Sequence, residues 1–314
     1  MNKLQPKSKD KYKVLNWSTY NKSLINRGSL NIWINEEVIG AWTYKGEKKK
    51  GGQIIYSDLS IEVSASIKRL YKFGYRQTEG FLKSVFSIMQ IDLSVPAYTQ
   101  MQRRIKSLKI DLGDFRKKDN IDVVVDSTGL KVFGEGEWKV RKHGWSKHRT
   151  WRKLHIGINP QTQEIIMEEL TENSVTDEDA AIDMLTTTSL NLNSFAGDGA
   201  YDKTRMRKEL SKQNIKQIIP PQRNAVITKK PDVGMQSRNE AIKRIKEIGR
   251  KKWKQEIGYH KRSLAEVAMF RYKTIIGDKI SSRKFENEKI EVRIGCKILN
   301  KLTALGMPVS IKVS

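Results

Sequence analysis

A single cysteine, Cys296, occurs among 314 residues. That excludes an internal disulfide framework and any zinc site built from clustered thiolates. No apolar run approaches the roughly 20 residues needed to span a bilayer, so no membrane association is expected. The first residues, Met1-Asn2-Lys3-Leu4-Gln5, lack an apolar signal-peptide core, and a reducing cytoplasm is the expected compartment. The four histidines (His143, His148, His155 and His260) are too scattered for a zinc centre. Acidic residues are scarce: 35 Asp+Glu stand against 60 Lys+Arg, a net charge of +25. A field of that sign attracts polyanions, and nucleic acid is the usual one.

The length suggests about two domains. Residues 1–110 hold 20 Lys+Arg against 8 Asp+Glu, a net +12, so positive charge is densest in the N-terminal third. There Leu82, Val85, Phe86 and Met89 have the spacing of a buried helical face. Ser94-Val95-Pro96 reads as the start of a second helix, capped by Ser94 and carrying an apolar stripe of Tyr98, Met101, Ile105 and Leu108. Its outer face offers Thr99, Gln102, Arg103 and Lys106. Two such helices joined by a short turn, at about 78–108, would form a helix-turn-helix DNA reader, with Gln102, Arg103 and Lys106 toward DNA. A mainly helical region at 1–115 is therefore expected, with a boundary in the charged stretch Asp111–Asn120.

Beyond that boundary the pattern becomes α/β. Ile121–Val125 is a β-branched run expected to form a buried strand ending at Asp126. Further strands are read at Leu154–Ile158, Glu164–Glu169, Phe195–Gly197 and Ile215–Ile219. Helices are read at Asp177–Leu185 and Lys203–Gln213, then from about Arg238 to Lys273 with a break at Gly258. Sites gather at the carboxyl ends of parallel strands. That places Asp126 and Asp198 where chemistry is found, with flanking glycines expected to supply sharp turns. Either aspartate taken alone reads first as a turn or helix-cap residue.

A third element adds weight. Tyr259, Arg262, Glu266 and Lys273 are spaced 3, 4 and 7 apart, which on a helix returns them to one face. Leu264, Val267, Ala268 and Phe270 would then pack on the sheet. The stripe resembles the Tyr-Arg-Glu-Lys signature of DDE transposases of bacterial insertion sequences, specifically the insertion-sequence-five-like branch. Asp126-Ser127-Thr128 is similar to that family's first motif, and Gly197-Asp198-Gly199-Ala200-Tyr201-Asp202 to its second. The tail Leu299-Asn300-Lys301-Leu302, then Leu305-Gly306-Met307-Pro308, resembles family C-termini. The specific motifs lie within residues 120–314.

The resemblance implies a ribonuclease-H-like catalytic domain at 120–314 with a C-terminal helix, and a bacterial, nucleoid-associated enzyme. Asp126, Asp198 and Glu266 would be the catalytic acids and ligands for two Mg²⁺ or Mn²⁺ ions. Hard oxygen ligands suit those ions, and two ions roughly 3.5–4 Å apart can activate the attacking oxygen and stabilise the leaving one. Three carboxylates in one pocket repel by on the order of 4 kcal/mol per pair at about 4 Å, so a metal or a proton is required. Arg262 and Lys273 would hold DNA phosphates, and Tyr259 would contact DNA without acting as a nucleophile. The partners implied are double-stranded DNA, as terminal inverted repeats and target, and at least one further copy of the chain. The alternatives are a related nuclease without strand transfer and an inactive DNA-binding repressor.

The stretch Lys139–Lys153 contains no acid. Its Lys142, Lys147, Arg149, Arg152 and Lys153, interleaved with Trp145 and Trp151, are candidate DNA contacts. Trp253 is expected to pack and Cys296 to be a small buried hydrophobe. The acids Asp177, Glu178 and Asp179 suit the positive end of a helix dipole.

Overall fold

The computed structural model describes residues 11–47, 51–113, 115, 120–132 and 151–313. Lys142, Lys147 and Arg149 lie outside the described residues.

A six-stranded mixed sheet organises the chain. Strand β2 (Ile121–Val132) runs through its middle, and Val123, Val124 and Val125 are all buried. A continuous apolar run is what a strand covered on both faces requires. The chain begins with a short strand, β1 (Lys11–Val14), treated below. In the sheet, β3 (Trp151–Ile158) pairs antiparallel with β2, and β4 (Ile165–Glu172) antiparallel with β3. On the other side of β2, β5 (Leu192–Ala196) and then β6 (Lys216–Ile218) run parallel. The order is β4-β3-β2-β5-β6, and β7 (Lys279–Ile280) pairs parallel with the far end of β2.

Helices α1 (Trp17–Asn26), α2 (Glu36–Gly40), α3 (Asp58–Leu70), α4 (Tyr75–Ile88) and α5 (Tyr98–Arg104) precede the sheet. Ser57 caps α3 by accepting from the Ser60 N–H at 3.1 Å. Helix α4 buries Leu82, Val85 and Phe86 as the periodicity predicts, but Met89 is 38% exposed. The expected short turn after it does not form. Residues 89–97 separate α4 from α5, and Ala97, not Ser94, starts α5, with Gln100 Oε1 accepting from the Ala97 N–H at 3.1 Å. Val95 and Pro96 are buried instead, and the Ser94 and Val95 carbonyls accept from the Trp42 indole and the Tyr56 hydroxyl. Those contacts hold the connection extended and delay the helix.

Within the sheet region, α6 (Asp177–Thr187) follows β4 and α7 (Thr204–Lys212) follows β5. Thr176 caps α6 by accepting from the Asp179 N–H at 3.2 Å, and its first turn carries Asp177, Glu178 and Asp179. Then come α8 (Val233–Ile248), α9 (Arg250–Glu256), a 3₁₀ turn at Tyr259–Arg262 and α10 (Ser263–Ile275). Two breaks divide this stretch, at Gly249 (φ +82°) and at Gly258 (φ +71°), both in conformations that favour glycine. Finally α11 (Phe285–Ala304) packs on α3 and on β4, and β8 (Ser310–Val313) returns to pair with β1.

Buried apolar residues of the N-terminal helices and of the sheet belong to one continuous cluster. Helix α11 is the strut between them. Its buried Asn300 donates to the carbonyls of Leu112 and Ile165 and accepts from the Ile165 N–H. Cys296 on the same helix is fully buried, and Trp253 of α9 is 4% exposed.

Candidate active site

Asp126 does not end its strand. Strand β2 continues to Val132, held there by the antiparallel partner β3, with Asp126 opposite Ile156. What ends is the parallel pairing with β5, whose last register pair is Val124 with Ala196. Asp126 therefore stands two residues past that pair on one strand, and Asp198 two residues past it on the other. The carboxyl end of the parallel pair, where the two chains separate, brings both aspartates to one place.

Asp198 opens a 3₁₀ turn (Gly199–Tyr201), and its Oδ1 accepts from the Ala200 N–H at 2.8 Å. The neighbouring glycines do not supply unusual backbone angles. A Cβ on Gly197 would meet the Tyr201 ring at 2.6 Å, and one on Gly129 would meet the Trp151 ring at 3.2 Å. These glycines make room for aromatic rings.

Among the described residues, the buried Tyr201 hydroxyl has no hydrogen-bond partner. Its titration is pushed well up, first by burial and then by Asp177, Asp126 and Asp198. Asp202 closes the motif beneath it. Fully buried, it pairs with Arg207 Nε at 2.8 Å and Arg238 Nε at 3.1 Å, and accepts from the Gln222 N–H at 3.0 Å. This triad anchors the Asp198 loop to α7 and α8. In the sequence Asp202 stands only as the last residue of the second motif, and its arginines lie five and 36 residues away with no periodic relation to it.

Glu266 comes from the first turn of α10 and is exposed. Arg262 lies between it and the sheet. One guanidinium nitrogen donates to Asp126 Oδ2 at 3.1 Å, and the other is paired with Glu266 Oε1. Burial raises the Asp126 carboxyl above its usual range. Asp198 and Glu266 push the same way, while the Ser127 N–H and Arg262 pull against them. The three acids thus share one field, and the cation that compensates two of them is Arg262. Among the described residues, no three His, Cys, Asp or Glu side chains stand close enough together to hold a single ion.

Tyr259 lies on the 3₁₀ turn, not on the helix. Lys254 Nζ sits 4.5 Å from its ring centroid, and the Arg262 guanidinium 6.0 Å. Lys273 is in the last turn of α10, half-buried. The expected packing face of this helix is corrected: Ala265, Ala268, Met269 and Tyr272 are buried, whereas Val267 and Phe270 are 44% and 69% exposed. Phe270 lies four residues from the exposed Glu266 and shares its outward face, whereas the buried set repeats 3, 4 and 7 residues after Ala265.

Two other predicted DNA contacts are occupied within the chain. Arg152 Nε donates to Glu288 at 2.7 Å, and its guanidinium lies 4.9 Å from the Phe285 ring centroid. Lys153 donates to the Val175 carbonyl at 2.8 Å and to Asp177 at 3.4 Å. Gln102, Arg103 and Lys106 are exposed on α5 and the turn after it.

A transposase DDE domain family matches residues 117–301, and a second family of the same description matches residues 25–135. Among solved structures, a piggyBac transposase synaptic complex with hairpin DNA is similar at 10% identity and a TM-score of 0.37, over 89% of this chain and 73% of that one. With a family match covering more than half of its residues, the chain belongs to the DDE transposase family.

Proposed function

We propose that this chain binds the terminal inverted repeats of an insertion sequence, cleaves at the element's ends and joins the freed 3′-hydroxyl to target DNA. The observation that carries the reading is the convergence of Asp126, Asp198 and Glu266 on one electrostatic field, with Arg262 between two of them. The sheet order and the three meander strands support a ribonuclease-H-like catalytic region at 120–314. The helices before it are the proposed DNA-binding layer, with Gln102, Arg103 and Lys106 at its surface.

The donor set suits Mg²⁺ or Mn²⁺, because it consists of carboxylate oxygens; burial first, and then the other two acids, raise Asp126. Asp126 and Asp198 would hold the ions, joined by Glu266 once Arg262 releases it. Two such ions supply an activated attacking oxygen and a stabilised leaving oxygen. Arg262, freed from its acids, would turn to a DNA phosphate, since its planar fork matches phosphate as well as carboxylate. Lys273 offers a second cation on the same helix. Tyr259, held between Lys254 and Arg262, would pack against DNA beside the cut without forming a covalent bond. The +25 charge supports a polyanionic substrate.

The test incubates the protein with Mg²⁺, DNA carrying the repeats that flank its own coding region, and a target plasmid. Joined products that vanish in Asp126→Ala, Asp198→Ala and Glu266→Ala support the proposal. Nicks without joining favour a nuclease, and binding alone, unchanged by Asp126→Ala, favours a repressor. A trapped phosphotyrosine adduct would overturn the role given to Tyr259.

A further inference from the structure

We propose that the cleft between the α3–α4 turn and β7 is a second DNA-backbone site, which holds phosphates of the strand lying along α10. This rests on the reading of the chain as a DNA transposase. The cleft has a volume of about 780 Å³. Its wall carries five cationic side chains: Lys68, Arg69, Lys72, Lys279 and Arg283. Arg69 is committed to Glu291 at 2.8 Å. The one acid of the wall, Asp278, is taken by Lys131 at 2.8 Å. Among the described residues, no ion pair is recorded for the other four cations, and Lys72, Lys279 and Arg283 are exposed.

Four cations facing one open cleft repel each other unless an anion enters. Burial already pushes the Lys68 ammonium down, and its neighbour Arg69 adds to this, against the pull of Glu291. The rim is aromatic as well as basic. The segment Lys68-Arg69-Leu70-Tyr71-Lys72-Phe73-Gly74-Tyr75-Arg76 alternates the two kinds of side chain. Lys68 Nζ sits 4.7 Å from the Tyr75 ring centroid, and Tyr71 stacks on Phe73. Basic groups with interleaved aromatics suit a sugar–phosphate backbone. The first turn of α4, which opens onto the cleft at Gly74 and Tyr75, carries no acid to compete.

Position decides what the anion is. Ile276 and Gly277, just beyond the end of α10, line the cleft, while Glu266 lies in the first turn of that helix. Ten helical residues separate Glu266 from Ile276, or about 15 Å at 1.5 Å per residue. Lys273 lies between them. A DNA strand that passes Glu266 and follows α10 meets Lys273 and then the cleft, a few phosphates from the site of cutting.

The experiment measures binding of a fluorescein-labelled DNA duplex to the full chain across a series of KCl concentrations. Each phosphate contact contributes roughly 0.9 to the slope of log K against log salt. The triple variant Lys72→Ala/Lys279→Ala/Arg283→Ala is expected to flatten that slope by about two to three and to weaken binding at low salt at least ten-fold. A charge-matched variant of the exposed lysines Lys243, Lys246 and Lys251 should change the slope by less than one. All three cleft residues are exposed, so unchanged melting is expected; the single reversal Lys72→Glu repeats the test with one substitution. Wild-type binding with a triple variant no worse than the matched control overturns the cleft alone. A wild-type chain that binds no duplex overturns the reading of the whole protein and the cleft with it.

Discussion

Arg262 faces two carboxylates with a single charge. It compensates Asp126 and Glu266 in the structure, yet the proposed reaction needs both acids for metal. A guanidinium and a divalent ion therefore compete for the same oxygens. Replacing Arg262 by Gln should tighten Mn²⁺ binding to the DNA-free protein several-fold, as read by calorimetry, while cleavage falls by at least ten-fold because the phosphate contact is lost. Looser Mn²⁺ binding in that variant would show that the arginine does not stand in the ion's place. A second residue-scale prediction concerns His155. It is fully buried, 3.0 Å from the Thr171 hydroxyl through Nε2, and burial pushes its imidazole down to about 4. Because the unfolded chain takes up this proton first, the contribution is present above about pH 6.5 and is lost as pH falls through about 4. It amounts to on the order of 3 kcal/mol. The buried Glu168, pushed up to about 7 mainly by desolvation, has the opposite sign: its contribution is complete below about 4.5 and fades as pH rises through 7. Urea unfolding of wild type and His155→Phe from pH 7.5 to 4 should give a difference curve falling toward acid. A flat difference would show that His155 titrates normally.

At the scale of elements, the Asp202 triad fixes the loop that carries Asp198 to two helices. Removing one partner of a buried pair costs more than the pair is worth, because it strands a charge. Asp202→Ala leaves Arg207, 1% exposed, with the Gln217 side chain and the Ile219 carbonyl but no anion. A loss of about 3–5 kcal/mol in chemical denaturation is expected, and a loss under 1 kcal/mol would show that the loop is held by other means. The residues of this triad also mark where sequence reading stops. Asp126, Asp198 and Glu266 stand out as candidates in the sequence because β-branched runs, a strand-to-turn change and an i,i+4 Arg–Glu spacing are all local patterns. The buried run Val123–Val125 was legible for the same reason. The pairing of Asp202 with Arg238 was not, since contacts across elements leave no period in the chain. Nor was the continuation of β2 past Asp126 to Val132, because the partner that extends it, β3, begins at Trp151. The exposure of Phe270 was misread because, four residues from Glu266 on one helix, it shares that residue's outward face. Gly258 was read as a break and Gly249 was not, although both adopt positive φ; only the first adjoins the Tyr-Arg-Glu-Lys motif.

Across the whole molecule, the N-terminal helices and the sheet share one apolar core, and α11 ties them with Arg69–Glu291, Lys297–Glu62 and the Asn300 amide. Rigidity of that kind suits the proposed reaction, which needs DNA and acids in fixed relation. The ends of the described chain are built differently. Strands β1 and β8 form a separate two-stranded sheet, with Tyr12, Ile311 and Val313 all more than 40% exposed. Two strands alone are marginal in water, so the ribbon depends on its attachment. Asn16 supplies much of it, donating to the Met307 carbonyl at 3.0 Å and accepting from the Val309 N–H at 2.8 Å. Arg27 adds a bond to the Gly306 carbonyl at 2.9 Å. Asn16→Ala removes two hydrogen bonds worth about 1 kcal/mol each, comparable to the whole stability of an isolated ribbon. Local opening should therefore separate from global unfolding. Amide exchange at 11–14 and 310–313 is expected to quicken by about ten-fold or more, while β2 and β5 exchange as in wild type and the melting temperature stays within about 2 °C. A variant in which the central strands exchange faster in step with the ribbon would show that the clasped ends are part of the cooperative core, and that the fold's stability is not confined to the sheet and α11.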